Sequence, residues 1–102
     1  MRRRVPELYY RSSRICRVLG NPTAYQILKM LDRGGRKPSD IAKELKLSLP
    51  TISIALRHLR QIDLVRYENL AEGKVYFIKD ETIVSIIDKI ETLVKQIKTR
   101  EY

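Results

Sequence analysis

Between Ser48 and Gln61 the chain carries Ser53, Arg57 and Gln61 at spacings that one helix would turn to one side, with Thr51 at the margin and Ser48 at the helix start. Hydroxyls and amides can donate to phosphate oxygens or pair with base edges. A guanidinium can bridge two acceptors at once. This is recognition chemistry rather than bond-making chemistry. The remaining reactive side chains are solitary: His58 is the only histidine and Cys16 the only cysteine. A lone histidine lacks co-ligands at metal spacing, so a structural or phosphate-adjacent role is expected for it. No nucleophile–base pair and no phosphate-cradling glycine loop is present. An enzyme is therefore not the expected function, and no cofactor and no metal is expected.

For these groups to share an edge, Ser48–Leu64 must be a helix. Ser48 is a suitable N-cap, and Pro50 sits in the first turn, where a missing N–H costs nothing. Ile52, Leu56 and Leu59 recur at helical spacing and form the buried stripe. The opposite side holds Pro50, Ser53, Ile54, Arg57 and Gln61, with Thr51 and Arg60 at its margins. A short helix, Ser39–Leu47, precedes it across a tight turn, with Ser39 as its expected cap. That pairing is a helix-turn-helix over residues 39–64, whose second helix enters a DNA major groove.

Charge supports a polyanionic partner. The 102 residues carry a net charge of +9. Residues 1–79 hold 17 Lys/Arg against 7 Asp/Glu, whereas residues 80–102 hold 4 against 5. The last segment therefore has a different task. The length suits one domain spanning residues 1–102. No apolar run follows the basic start MRRRVPELYY, and no window approaches a membrane span. A cytoplasmic protein without a membrane partner is expected.

In chain order, Arg2–Arg4 form a basic arm. Residues 5–19 then read as a helix with Leu8, Ser12, Ile15 and Leu19 on one face and Arg11, Arg14 and Arg17 on another. Gly20 is expected to end it through its conformational freedom. Asn21-Pro22 opens a second helix with Ala24, Ile27, Leu28 and Leu31 inward, closed by Gly34-Gly35. After Leu64 the period changes to strand alternation. A hairpin is expected over Val65–Asn69 and Lys74–Ile78, turning at Ala71–Lys74. From Asp80 to Arg100 helical period returns: Ile83, Ile90 and Ile97 repeat every seven residues, joined by Ile86, Ile87, Leu93 and Val94. So wide an aliphatic stripe exceeds what one small domain covers, which points to a homodimer. Leu8, Ser12, Ile15 and Cys16 of the first helix are assigned to the same interface. There Cys16 is read as a small buried hydrophobe in preference to a redox-active thiol.

The fold class is thus mainly α with a small β-hairpin, a winged helix-turn-helix. At this point the chain resembles the ArsR/SmtB-type transcriptional regulators. The resemblance rests on LGNPTAYQILKML (Leu19–Leu31), SDIAKELKLSLPTISIALRHLRQIDLV (Ser39–Val65) and EGKVYFI (Glu72–Ile78). It implies a homodimeric repressor of double-stranded DNA. Residues 5–19 and 80–100 would dimerise, the helix beginning at Ser48 would lie in the major groove, and the wing at residues 65–78 would lie near the minor groove. It carries contact roles to Ser48, Thr51 and Ser53. The sequence departs from the family pattern at Leu49, where a polar residue is usual, and at Ile54-Ala55, where Arg-His is common. Asp63 replaces the usual glycine. The metal-sensing cysteines and histidines of the family have no counterparts, and any small-molecule effector is unknown. The DNA-facing set is therefore Ser48, Leu49, Pro50, Thr51, Ser53, Ile54 and Arg57. Arg36, Lys37, Arg66 and Lys74 would add attraction for phosphate. The alternative reading is a winged-helix module that binds nucleic acid non-specifically or docks a protein.

Overall fold

The computed structural model describes residues 4–101, with side chains through Lys98. Arg2 and Arg3 of the basic arm lie outside the described residues. The order is α1 (Glu7–Leu19), α2 (Pro22–Leu31), α3 (Pro38–Leu45), α4 (Leu49–Gln61), β1 (Val65–Leu70), β2 (Gly73–Ile78) and α5 (Thr82–Glu101). The fold is a winged helix-turn-helix, mainly α with one antiparallel hairpin.

Local chemistry accounts for most boundaries. The Asn21 side chain accepts from the Ala24 amide at 3.1 Å, and Pro22 occupies the first turn of α2. α3 begins two residues earlier than its expected cap allows. Its N-cap is Lys37, Pro38 is the first helical residue, and Ser39 makes no capping bond. Gly20 does not end α1 by an unusual backbone either. Its φ is −72°, in the ordinary right-handed region, and Pro22 prevents further helical bonding. α4 stops at Gln61 rather than Leu64, because Asp63 turns to φ 62°. That conformation favours glycine, and asparagine or aspartate tolerates it best after glycine. It swings Leu64 and Val65 into the core.

The core gathers buried side chains from every element but α1, whose Ile15, Val18 and Leu19 pack half-buried against it. Ile27 and Leu28 of α2, Ile41 of α3, Ile52, Leu56 and Leu59 of α4, and Val65 of β1 are fully buried. Each such side chain contributes about 1.5–3 kcal/mol relative to exposure. The register pairs Val65 with Ile78 and Tyr67 with Tyr76. Arg36 adds a third edge: its N–H donates to the Tyr76 carbonyl at 3.0 Å, and the Tyr76 N–H donates to the Arg36 carbonyl at 2.8 Å. This close approach requires Gly35, since a Cβ there would stand 2.4 Å from the Phe77 ring.

α5 divides along its length. Ile83 and Ile87, expected at a subunit interface, are buried in the protein's own core. They lie on the first turns of α5, which still pack against the domain. Further along, Ile86, Ile90, Leu93, Val94 and Ile97 are exposed. A polar clasp anchors the middle of the helix. The Tyr25 hydroxyl donates to Glu91 Oε2 at 2.7 Å, and Lys29 Nζ donates to Oε1 at 3.0 Å. Desolvation and the Glu91 carboxylate push the Tyr25 phenol up to about 12. The bonds from Tyr25 and Lys29 hold the Glu91 carboxyl below its ordinary value.

Candidate nucleic-acid interface

The N-terminus of α4 is built by Ser48. Its Oγ accepts from the Thr51 amide at 3.3 Å and lies 2.8 Å from the Thr51 hydroxyl. These hydroxyls thus fix each other while remaining exposed. Leu49, Pro50, Ser53, Ile54 and Arg57 are exposed on the same helix, opposite the buried Ile52, Leu56 and Leu59. Arg57 makes no ion pair among the described residues. The tight link from α3 rests on Lys46, left-handed at φ 58°, and on the Leu47 N–H, which donates to the Ala42 carbonyl at 3.0 Å.

On one flank of α4 stands the wing. Arg60 lies over the Tyr67 ring at 5.5 Å, and Lys74 approaches the same ring at 4.3 Å. Tyr67 in turn packs on Tyr76 at 5.5 Å between ring centroids. One aromatic side chain therefore couples the helix to the hairpin and holds two cations beside it. The sequence carried no explicit signal for Tyr67 beyond its place in a strand.

The expected phosphate-attracting residues separate into groups. Lys74 is exposed on the wing beside Tyr67. Arg66 sits over Phe77 at 4.8 Å and pairs with Glu68 at 2.8 Å, so its charge is largely offset locally. Arg36 and Lys37 line a cleft between α3 and the wing together with Asp40 and Glu72. That cleft has mixed charge. On the interface side, Leu8, Ser12 and Cys16 are exposed, whereas Ile15 is half-buried against the core. Cys16 is accordingly not a buried hydrophobe within one chain.

Among the described residues no three His, Cys, Asp or Glu side chains are grouped as metal ligands would be. No helix among them is long and apolar enough to cross a membrane.

A capped reading helix, a short helix before it and an aromatic-backed wing define a DNA-binding winged helix-turn-helix of the transcription-regulator class. Residues 21–67 match the family model described as "bacterial regulatory protein, arsR family". The chain is 32% identical over 88 residues to MJ1325, an uncharacterized HTH-type transcriptional regulator of Methanocaldococcus jannaschii, covering 85% of this chain and 99% of that protein. It belongs to the ArsR family of transcriptional regulators. Among solved structures, Rv0081 of M. tuberculosis superposes with a TM-score of 0.86 at 17% identity, covering 95% of this chain and 98% of that one. The homodimeric winged helix-turn-helix DNA-binding domain Mb0332 of Mycobacterium bovis, a possible ArsR-family regulator, gives 0.80 at 23% identity, covering 94% and 92%.

Proposed function

We propose that the protein is a homodimeric, sequence-specific repressor that inserts α4 into the major groove of double-stranded DNA. The observation that carries this reading is the exposed edge of α4. Ser53 and Arg57 lie on the face turned from the core, and the mutually bonded cap pair Ser48 and Thr51 lies at its N-terminal margin; all four are exposed, and Arg57 makes no ion pair among the described residues. Hydroxyls at the helix start would set the register on phosphates, and Arg57 would reach a base edge or phosphate. Leu49 and Ile54, both exposed, would pack on thymine methyl groups, which favours operators containing A/T pairs. Lys74, with Arg36, Lys37 and Arg66, would add long-range attraction.

The homodimer reading rests on the apolar run Ile86, Ile90, Leu93, Val94 and Ile97, which none of the described residues buries. Leu8 and Tyr9 of α1 add to the uncovered apolar surface. Mb0332, which shares the fold, is homodimeric. Two reading helices about 34 Å apart would meet successive major grooves on one face of a pseudo-palindrome. Bound at a promoter, such a dimer would block polymerase by occupancy.

The exposed Leu49 and Ile54 also favour a second reading, a module that binds nucleic acid without strict sequence preference. One experiment separates the two. Fragments of genomic DNA selected on the protein should share a pseudo-palindrome and bind at least about a hundredfold more tightly than random duplex at equal salt. Equal affinity for selected and random duplex would overturn the sequence-specific reading.

A further inference from the structure

The flank of α4 opposite the wing is as basic as the wing itself. α1 runs beside it, and a groove opens between the two helices. At one end the groove is lined by Arg11, Arg14, Gln61 and Asp63, and in the middle by Arg14, Arg17, His58 and Gln61. At the other end it widens to a cleft of about 400 Å³ against the start of α2, where Thr51 and Ile54 of the reading helix form one wall. Arg11, Arg14 and Arg17 are exposed and make no ion pair among the described residues. The one acid lining the groove, Asp63, is already held by Lys79 at 3.0 Å. Helical spacing sets Arg14 and Arg17 on the flank of α1 away from Ser12 and Cys16, so a subunit interface on that other flank leaves them open.

We propose that this groove is a track for the sugar-phosphate backbone of duplex DNA, with Arg14 and Arg17 of α1 as its phosphate contacts. The occupant follows from charge and shape together. Arginines spaced along an open groove match phosphates repeating along a strand, and the apolar floor of Val18, Ala24 and Ala55 suits deoxyribose faces. The groove also shares Thr51 and Ile54 with the reading edge, so one strand can leave α4 and continue along α1. α4 is then clamped from both sides, by the wing on one and by α1 on the other. This inference rests on the DNA-binding reading and extends it to a helix otherwise assigned to dimerisation.

The test is a salt titration of random-duplex binding by fluorescence anisotropy, with the unmodified protein, the double variant Arg14→Gln/Arg17→Gln and the conservative Arg14→Lys/Arg17→Lys. Losing two phosphate contacts should lower the slope of log K against log salt by about 1.8 per bound protomer and weaken binding roughly tenfold or more at about 0.15 M salt. The lysine variant should retain the slope, which a merely structural role for the arginines does not require. Sedimentation should give the same oligomer for all three proteins. An unchanged slope in the glutamine variant, while Arg57→Ala still weakens binding, would overturn the track and leave the DNA reading standing. Failure of the unmodified protein to bind any duplex would overturn both.

Discussion

α4 and α5 are both amphipathic helices that bury one stripe in the same core, yet their outer faces have opposite chemistry. The outer face of α4 alternates hydroxyls, a guanidinium and two aliphatic side chains; Arg57 makes no ion pair among the described residues, and Arg60 and Lys74 lie over the Tyr67 ring. The outer face of α5 is aliphatic from Ile86 to Ile97. A mixed polar face stays hydrated until a partner of matching hydrogen-bond pattern displaces the water. An aliphatic face is driven to any apolar surface and is satisfied by a copy of itself. The contrast shows that the helical pattern alone does not distinguish a reading helix from a subunit contact. The composition of the face left over after the core is filled does so.

The comparison is broken most severely by charging the α5 face. Ile90→Glu should dissociate the proposed dimer in sedimentation, since burying a carboxylate against its symmetry mate costs about 3 kcal/mol or more. Circular dichroism should remain helical, and an intact dimer would refute the interface. Next comes the stripe that both helices share in kind. Ile52→Ala, at a site with no exposure, should lower stability to chemical denaturation by about 2–5 kcal/mol. A smaller effect is expected on the reading edge. Arg57→Ala should weaken DNA binding by about 1–3 kcal/mol while leaving stability within about 0.5 kcal/mol. Unchanged affinity in a gel-shift assay would count against α4 as the reading helix.

The mildest test concerns the clasp at Glu91. Its carboxyl titrates below the ordinary value in the folded chain, so its contribution is present above that ordinary value and fades as pH falls through the folded one. The Tyr25 phenol is raised to about 12, so its contribution is complete below the usual tyrosine value and disappears as pH climbs past about 12. Glu91→Gln should therefore flatten the acid limb of the stability–pH profile while barely moving stability measured at a pH low enough for the folded-state carboxyl to be protonated. A wild-type acid limb in that variant would remove the clasp from the account.

Much of this was legible in the residues. The order of elements followed from Asn21-Pro22, Ser48 with Pro50, and the change of period after Leu64, because caps and periodicity are local. Ile83 and Ile87, by contrast, belong to the core although their spacing points to the interface. A heptad stripe records which residues are apolar, not which of them the domain's own core already covers. The early stop of α4 was half-visible: Asp63 occupies a position where the family prefers glycine, and its φ of 62° supplies the cause. Arg66 illustrates what spacing cannot provide. Glu68, two residues away on the same strand, lies on the same face and offsets its charge. The basic flank of α1 was visible as Arg11, Arg14 and Arg17, but their place beside α4 emerges only when the helices pack.

The Tyr25–Glu91–Lys29 clasp joins α2, which belongs to the reading head, to α5, which would hold the second copy. In the proposed dimer, the separation and tilt of the two heads would depend on this joint together with the buried Ile83 and Ile87, whereas base preference would be set on α4. The operator would then have two independent variables: half-site sequence, adjusted by changing α4, and half-site spacing, adjusted by changing the joint. Mutations at one would be free to drift without retuning the other.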